Sequence, residues 1–244
     1  MAPVLYEVCE RGRLAIISLC RPKVKNAIND ETYTQLISCL SVAKDDPEVV
    51  AVILTGCGPY FTSGADLKEA GQQLKRVEQG ARLATIASRP PGLFMKALLR
   101  FPKFVVAAVN GPAVGIGVTL LPHCDVVYST PSATFWTPFF QLALVPEFCS
   151  SVTFPKTFGF SVANELLYLG RKLSAKEASQ SGFLSEVLEE EGFLTQVKQR
   201  LADLLKAPLA AKSTPLFKIL MHQPRRRELE EALQDEFREL DSRS

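Results

Sequence analysis

With 244 residues, 47% of them hydrophobic and 22% charged, the chain can bury a sizeable core, which excludes global disorder. The 28 basic residues nearly balance the 26 acidic ones, and a formal net charge of +2 gives no electrostatic basis for a nucleic-acid or membrane-surface partner. Six cysteines without a Cys-x-x-Cys, and two distant histidines (His123 and His222), lack the clustering of a metal site, and the cysteines read as reduced, mostly buried thiols in an intracellular protein.

The opening Met1-Ala2-Pro3-Val4-Leu5-Tyr6 has no basic stretch and no long apolar run, so neither a secretory signal nor a membrane span is expected. Residues 13–19 are rich in β-formers and read as a strand that ends before Pro22. Asn29 or Asp30 caps a helix, in which Tyr33, Leu36, Ile37 and Leu40 repeat at the spacing of one buried stripe. Residues 49–55 and 104–110 are near-continuous apolar runs, the pattern of strands covered on both faces. Between them, residues 67–100 contain Arg89-Pro90-Pro91-Gly92 and read as an irregular, mobile cover. Shorter strands are expected at 125–129 and 134–136, with Trp136 as a core aromatic. His123-Cys124-Asp125 is given a structural role, since neighbouring side chains on a strand or tight turn point apart.

Ala163, Leu166 and Leu167 mark a helix ending near Gly170, and Val197, Leu201, Leu204 and Leu205 mark another. Arg225-Arg226-Arg227 is expected to open a last helix. Its stripe of Leu229, Leu233, Phe237 and Leu240 packs either on the chain's own core or on a neighbouring subunit. Strands alternating with helices argue an α/β domain.

Two glycine-bearing loops follow the two apolar strands. The first is Tyr60-Phe61-Thr62-Ser63-Gly64-Ala65-Asp66-Leu67 and the second Asn110-Gly111-Pro112-Ala113-Val114-Gly115-Ile116-Gly117-Val118. Glycine lets backbone approach a ligand, so both loops can aim N–H groups at an anionic atom, and a helix beginning after Gly115 would add its positive end. Neither is a nucleotide fingerprint, because Gly-x-Gly-x-x-Gly after the first strand and Gly-Lys-Ser/Thr are both missing.

These loops, together with Arg21-Pro22-Lys23-Val24-Lys25-Asn26-Ala27-Ile28-Asn29, Thr137-Pro138-Phe139, Pro146-Glu147 and Gly170-Arg171-Lys172-Leu173-Ser174-Ala175, resemble the crotonase (enoyl-CoA hydratase/isomerase) superfamily in order and over most of the chain. The resemblance implies a crotonase-like spiral of ββα units over residues 1–190. A C-terminal helical oligomerisation region would cover 191–244, giving a homotrimer or a dimer of trimers. It also implies an acyl-CoA thioester whose oxygen lies between the backbone N–H groups of Ala65 and Ile116. Lys23, Lys25 and Lys68 would meet the phosphates of coenzyme A. Ala27, Gly64 and Leu67 would hold its adenine and pantetheine, and Ser63, Asp66, Gly115 and Phe139 complete the implied substrate-binding set. Coenzyme A belongs to the substrate, so no separate cofactor and no metal are implied.

Hydratases of the family use two glutamates, and Thr119 and Phe139 occupy the matching positions. One carboxylate remains. Glu147, in Pro146-Glu147-Phe148-Cys149-Ser150-Ser151, resembles the base of the peroxisomal-type Δ3,Δ2-enoyl-CoA isomerases, which move a double bond from C3 to C2 with a single proton shuttle. Phe148 stands where those isomerases carry glycine, and a bulky ring there would narrow the acyl pocket or displace the glutamate. Two alternatives stay open: another crotonase reaction, such as thioester hydrolysis or weak hydration, and a non-catalytic scaffold that keeps the coenzyme A pocket. The resemblance implies a peroxisome or mitochondrion, although Asp241-Ser242-Arg243-Ser244 lacks the terminal apolar residue of a Ser-Lys-Leu-type signal and the family's further C-terminal segment is missing.

Overall fold

A computed structural model describes residues 2–10, 13–78 and 84–242. The chain begins with a hairpin of β1 (Val4–Cys9) and β2 (Leu14–Leu19), followed by α1 (Asp30–Asp45) and β3 (Ala51–Gly56). Next come α2 (Leu67–Glu78), α3 (Pro90–Leu99), β4 (Phe104–Val109), β5 (Ala113–Val114) and the single turn α4 (Ile116–Thr119). β6 (Val126–Ser129), β7 (Thr134–Trp136), α5 (Ser150–Leu167), β8 (Lys172–Ser174), α6 (Ala175–Gln180) and β9 (Glu186–Val187) complete the sheets. The chain closes with α7 (Phe193–Arg200), α8 (Ala202–Lys206) and α9 (Ala210–Asp241).

The main sheet has the order β1-β2-β3-β4-β6-β9, antiparallel only between β1 and β2, and a second sheet has the order β5-β7-β8. The continuous apolar runs of β2, β3 and β4 follow from burial on both faces. Ala15, Ile17, Val52, Leu54, Val105 and Ala107 join the core beneath α1, α3 and the end of α9. The alternate residues Leu14, Ile16, Ala51, Ile53, Val106 and Ala108 meet Val197, Leu201, Leu205 and Ala210 on the other side. Period-2 alternation thus feeds two cores rather than one core and solvent. In α1 the Asn29 side chain accepts the Thr32 N–H, as its capping chemistry requires, and Tyr33, Leu36 and Leu40 are buried.

Two expectations need correction. The span 67–100 is not an irregular cover: it holds α2 and α3, with Pro90 in the first turn of α3, where a missing N–H costs nothing. Residues 79–83 of that span, like Arg243 and Ser244 of the terminal motif, lie outside the described residues. Arg225-Arg226-Arg227 does not open the last helix but lies inside α9, just after Pro224. Proline removes one helical hydrogen bond and costs about 3 kcal/mol. Contacts on both sides of it hold the helix together: Lys218 and His222 bond Asp125, while Leu229, Leu233 and Phe237 are buried in the chain's own core. β1 is a strand on which the sequence reading made no statement.

Candidate functional site

The two glycine loops leave the carboxyl ends of β3 and β4 and are laced together. Thr62 N–H donates to the Pro112 carbonyl (3.3 Å) and Val114 N–H donates to the Thr62 carbonyl (3.0 Å). At Gly64, where φ is +84°, an added Cβ would lie 2.8 Å from the Val114 carbonyl oxygen. Any side chain there would push the loops apart, and an L-residue would also be strained.

The lacing orients two donors. Ile28 N–H donates to Gly64 O, and Asp66 N–H donates to Ile28 O, both at 2.9 Å. In this parallel bridge the intervening residue, Ala65, turns its own N–H the opposite way. Ile116 opens α4 after Gly115, whose φ and ψ are 54° and −121°, and a first-turn N–H has no acceptor within its own helix. Neither N–H meets a protein acceptor among the described residues. Both residues line one cavity of about 490 Å³.

Lys25, Ser63, Gly64, Leu67, Gly115, Phe139 and Glu147 line the same cavity, so nine of the thirteen residues singled out from the sequence converge there. The other four do not. Lys23 and Lys68 are exposed outside its lining, and Ala27 is buried with its carbonyl bonded to the Arg21 guanidinium. Asp66 pairs with Arg21 at 3.0 Å and accepts the Lys68 N–H, which ties two chain segments together at the entrance to α2.

Glu147 stands on the turn that enters α5. Burial pushes its carboxyl up to about 7, and the negative charge of Glu236 adds to the shift. Phe148 and Cys149, next in the chain, both have positive φ (53° and 62°), a conformation that disfavours side chains. The Phe148 ring does not narrow the cavity: it is fully buried, stacked on His123 at 4.1 Å between centroids and edge-on to Phe94 at 6.3 Å. His123 Nε2 lies 2.8 Å from the Phe148 carbonyl oxygen. Burial lowers the His123 pKa to about 4, so the ring is neutral and Nε2–H donates to that oxygen. Trp136 is a correction of the opposite kind. It lines the cavity rather than the core, with Lys172 Nζ 4.3 Å from its ring centroid.

Tyr60, Trp136, Gln141 and Lys172 therefore join the site without having been singled out as site residues from the sequence, and only their nearness to the two loops and to Phe139 signals them. Thr119 is buried with its hydroxyl unpartnered, and Phe139 is buried in the cavity wall, so no carboxylate stands at either position. A larger groove of about 790 Å³ lies between Asp125 and α9. It contains none of the thirteen residues, and its one carboxylate is engaged by Lys218 and His222. No group of three or more potential metal-ligating side chains exists among the described residues.

The family model described as enoyl-CoA hydratase/isomerase matches residues 10–243. The rat protein enoyl-CoA delta isomerase 2 is 43% identical over 201 residues, which are 82% of this chain and 50% of that protein. Mouse enoyl-CoA delta isomerase 3, peroxisomal, is 42% identical over 185 residues, covering 76% of this chain and 57% of the relative. The chain spans about half the length of the curated relatives it matches. Among solved structures, OdaA of Pseudomonas aeruginosa superposes with a TM-score of 0.85 at 36% identity, covering 97% of this chain and 91% of that one.

Proposed function

The chain belongs to the enoyl-CoA hydratase/isomerase family, and from that premise we propose that it is an enoyl-CoA delta isomerase acting on the 3-enoyl thioesters of fatty-acid β-oxidation. One observation carries the reading: a single raised carboxylate, Glu147, shares a cavity with two backbone N–H groups that have no protein acceptor among the described residues.

The chemistry asks for little more. A double bond at C3–C4 makes the C2 proton both α to the thioester and allylic. Glu147 takes that proton, the Ala65 and Ile116 N–H groups hold the oxygen of the dienolate, and the new carboxylic acid returns a proton at C4. No water is consumed, so the missing carboxylates at Thr119 and Phe139 favour isomerisation over hydration. A base with a pKa near 7 is matched to a proton that must leave and return. Each donor contributes about 3–4 kcal/mol to the enolate-like transition state.

Lys25, held 5.1 Å from the Tyr60 ring centroid at the cavity mouth, meets coenzyme A phosphate, with exposed Lys23 and Lys68 beyond the lining. Coenzyme A arrives with the substrate and no further cofactor takes part. Leu216, Phe217, Leu220 and Met221, exposed on the first half of α9, support assembly through the 191–244 region as a homotrimer or a dimer of trimers. The peroxisomal relative supports a peroxisomal location.

The test is conversion of a 3-enoyl-CoA to its conjugated 2-enoyl isomer, followed by ultraviolet absorbance. The parent should turn over with kcat rising as pH increases through about 7, because the ionised carboxylate is the reactive form. Glu147→Gln should lose ~100-fold or more. A parent that binds coenzyme A yet never isomerises the substrate would overturn the proposal.

A further inference from the structure

The turn that carries Glu147 is held from far along the chain. Glu236, on the last part of α9 and only 6% exposed, accepts the Cys149 N–H at 2.6 Å with one carboxylate oxygen. Its other oxygen accepts the Ser151 N–H at 3.1 Å and the Ser151 hydroxyl at 2.6 Å. A second tie runs from Cys149 Sγ to the Leu229 carbonyl, two helical turns earlier. The opening N–H groups of α5 have no acceptor within their own helix, and Cys149 makes no side-chain cap. A carboxylate from another helix fills that role, with the charge preference of a helix start.

We propose that Glu236 is a positioning residue for the proposed base: by bonding both sides of Ser150 it holds the Phe148-Cys149 backbone in its left-handed conformation and so aims Glu147 into the cavity. The inference rests on the isomerase reading only for the meaning of that aim, since the bonds themselves do not depend on any activity.

Several charges share this corner. Glu236 and Tyr33 face Glu147, Asp235 and Ser151 face Glu236, and Arg225 faces Cys149 and His123. Tyr33 stays protonated, its pKa raised well above the usual value by burial. Glu236 itself is pushed up to about 7 by burial, against its three hydrogen bonds. The charge of Glu236 adds to the burial that holds the Glu147 proton to higher pH. Glu236 has both a geometric and an electrostatic hold on Glu147, and the two can be separated. Loss of the hydrogen bonds misplaces the base and lowers the kcat plateau, whereas loss of the charge moves its titration to lower pH.

The experiment compares the full chain with Glu236→Gln, Glu236→Asp and Leu240→Ala. Gln keeps the shape but offers a single acceptor oxygen and no charge, so kcat at its high-pH plateau should fall by ~100-fold with KM little changed. Its pH midpoint should move below that of the parent. Asp keeps the charge and should retain the parent's midpoint while restoring part of kcat. Leu240→Ala loosens α9 without touching the turn, and should lower the melting temperature while leaving the kcat plateau and midpoint in place. Two readouts need no turnover: amide hydrogen exchange at Cys149 and Ser151, and a 13C titration of the Glu147 carboxyl. In Glu236→Gln the amides should lose protection and the titration should move to lower pH even if the parent proves inactive, an outcome that sinks the isomerase reading and leaves this one standing. Unchanged protection and an unchanged Glu147 midpoint in Glu236→Gln would overturn it.

Discussion

At Glu147 the needs of stability and of the proposed chemistry oppose each other. Its folded pKa of about 7 lies above the ordinary value of 4.5, so folding favours the protonated form. The sign follows: the stability tied to that proton is fully present below about pH 4.5 and is lost as pH rises through about 7. Glu147→Gln, which cannot ionise, should therefore unfold at higher denaturant concentration than the parent at pH 8.5, by about 1–3 kcal/mol, with the gain gone at pH 4. Equal stabilities at pH 8.5 would show that the carboxylate is better solvated than the cavity suggests. Phe148 strikes a different balance. Its left-handed backbone costs about 1–2 kcal/mol, and the ring returns more through complete burial against His123 and Phe94. Sequence reasoning reached the residue but not the direction of its ring, because a side chain's direction depends on which partners the fold places beside it.

The element that matters most is a pair of loops rather than any helix or strand. Their lacing runs through the backbone of Thr62, Pro112 and Val114, with the Thr62 hydroxyl accepting the Gly64 N–H, and it fixes how the Ala65 and Ile116 N–H groups face one cavity. Gly64→Ala tests this, since its Cβ would lie 2.8 Å from the Val114 oxygen at a φ of +84°. We expect a loss of about 1–3 kcal/mol of stability and a fall in kcat of ~100-fold, measured by denaturant titration and by the isomerase assay. Retained kcat at lowered stability would detach the lacing from catalysis. The loops were legible in the sequence through the ordered set of motifs that resembles the family, since a glycine-bearing loop by itself marks only a turn. The α2–α3 span was not, since proline beside glycine signals a turn locally and helix start only when the following turn is helical.

Across the whole molecule, α9 ties the sheet to the site. Its first half is anchored by Asp125, which accepts hydrogen bonds from Lys218, His222 and the Val105 N–H, and its second half reaches the Glu147 turn through Glu236. Burial opposes ionisation of Asp125, but those bonds outweigh it and hold the carboxyl below its usual 3.8. The associated stability is present above about pH 4 and is lost as pH falls through the lowered folded value. Asp125→Asn should cost about 3–5 kcal/mol at pH 7 by leaving Lys218 without its partner, and should flatten the acid limb of a stability–pH curve. An acid limb as steep as the parent's would place the titrating group elsewhere. The sequence alone determined the α/β alternation, the strands buried on both faces, the paired loops and the single carboxylate beside them. The first two are written in local periods, whereas the loops and the carboxylate were read from motifs whose order resembles a known family. Only the tertiary structure decided that α9 runs unbroken through Pro224, that Trp136 faces the cavity, and that Glu236, 87 residues beyond Cys149, caps the turn bearing Glu147. Those outcomes depend on partners far along the chain, whose meeting is set by the packing of two cores and leaves no local period to read.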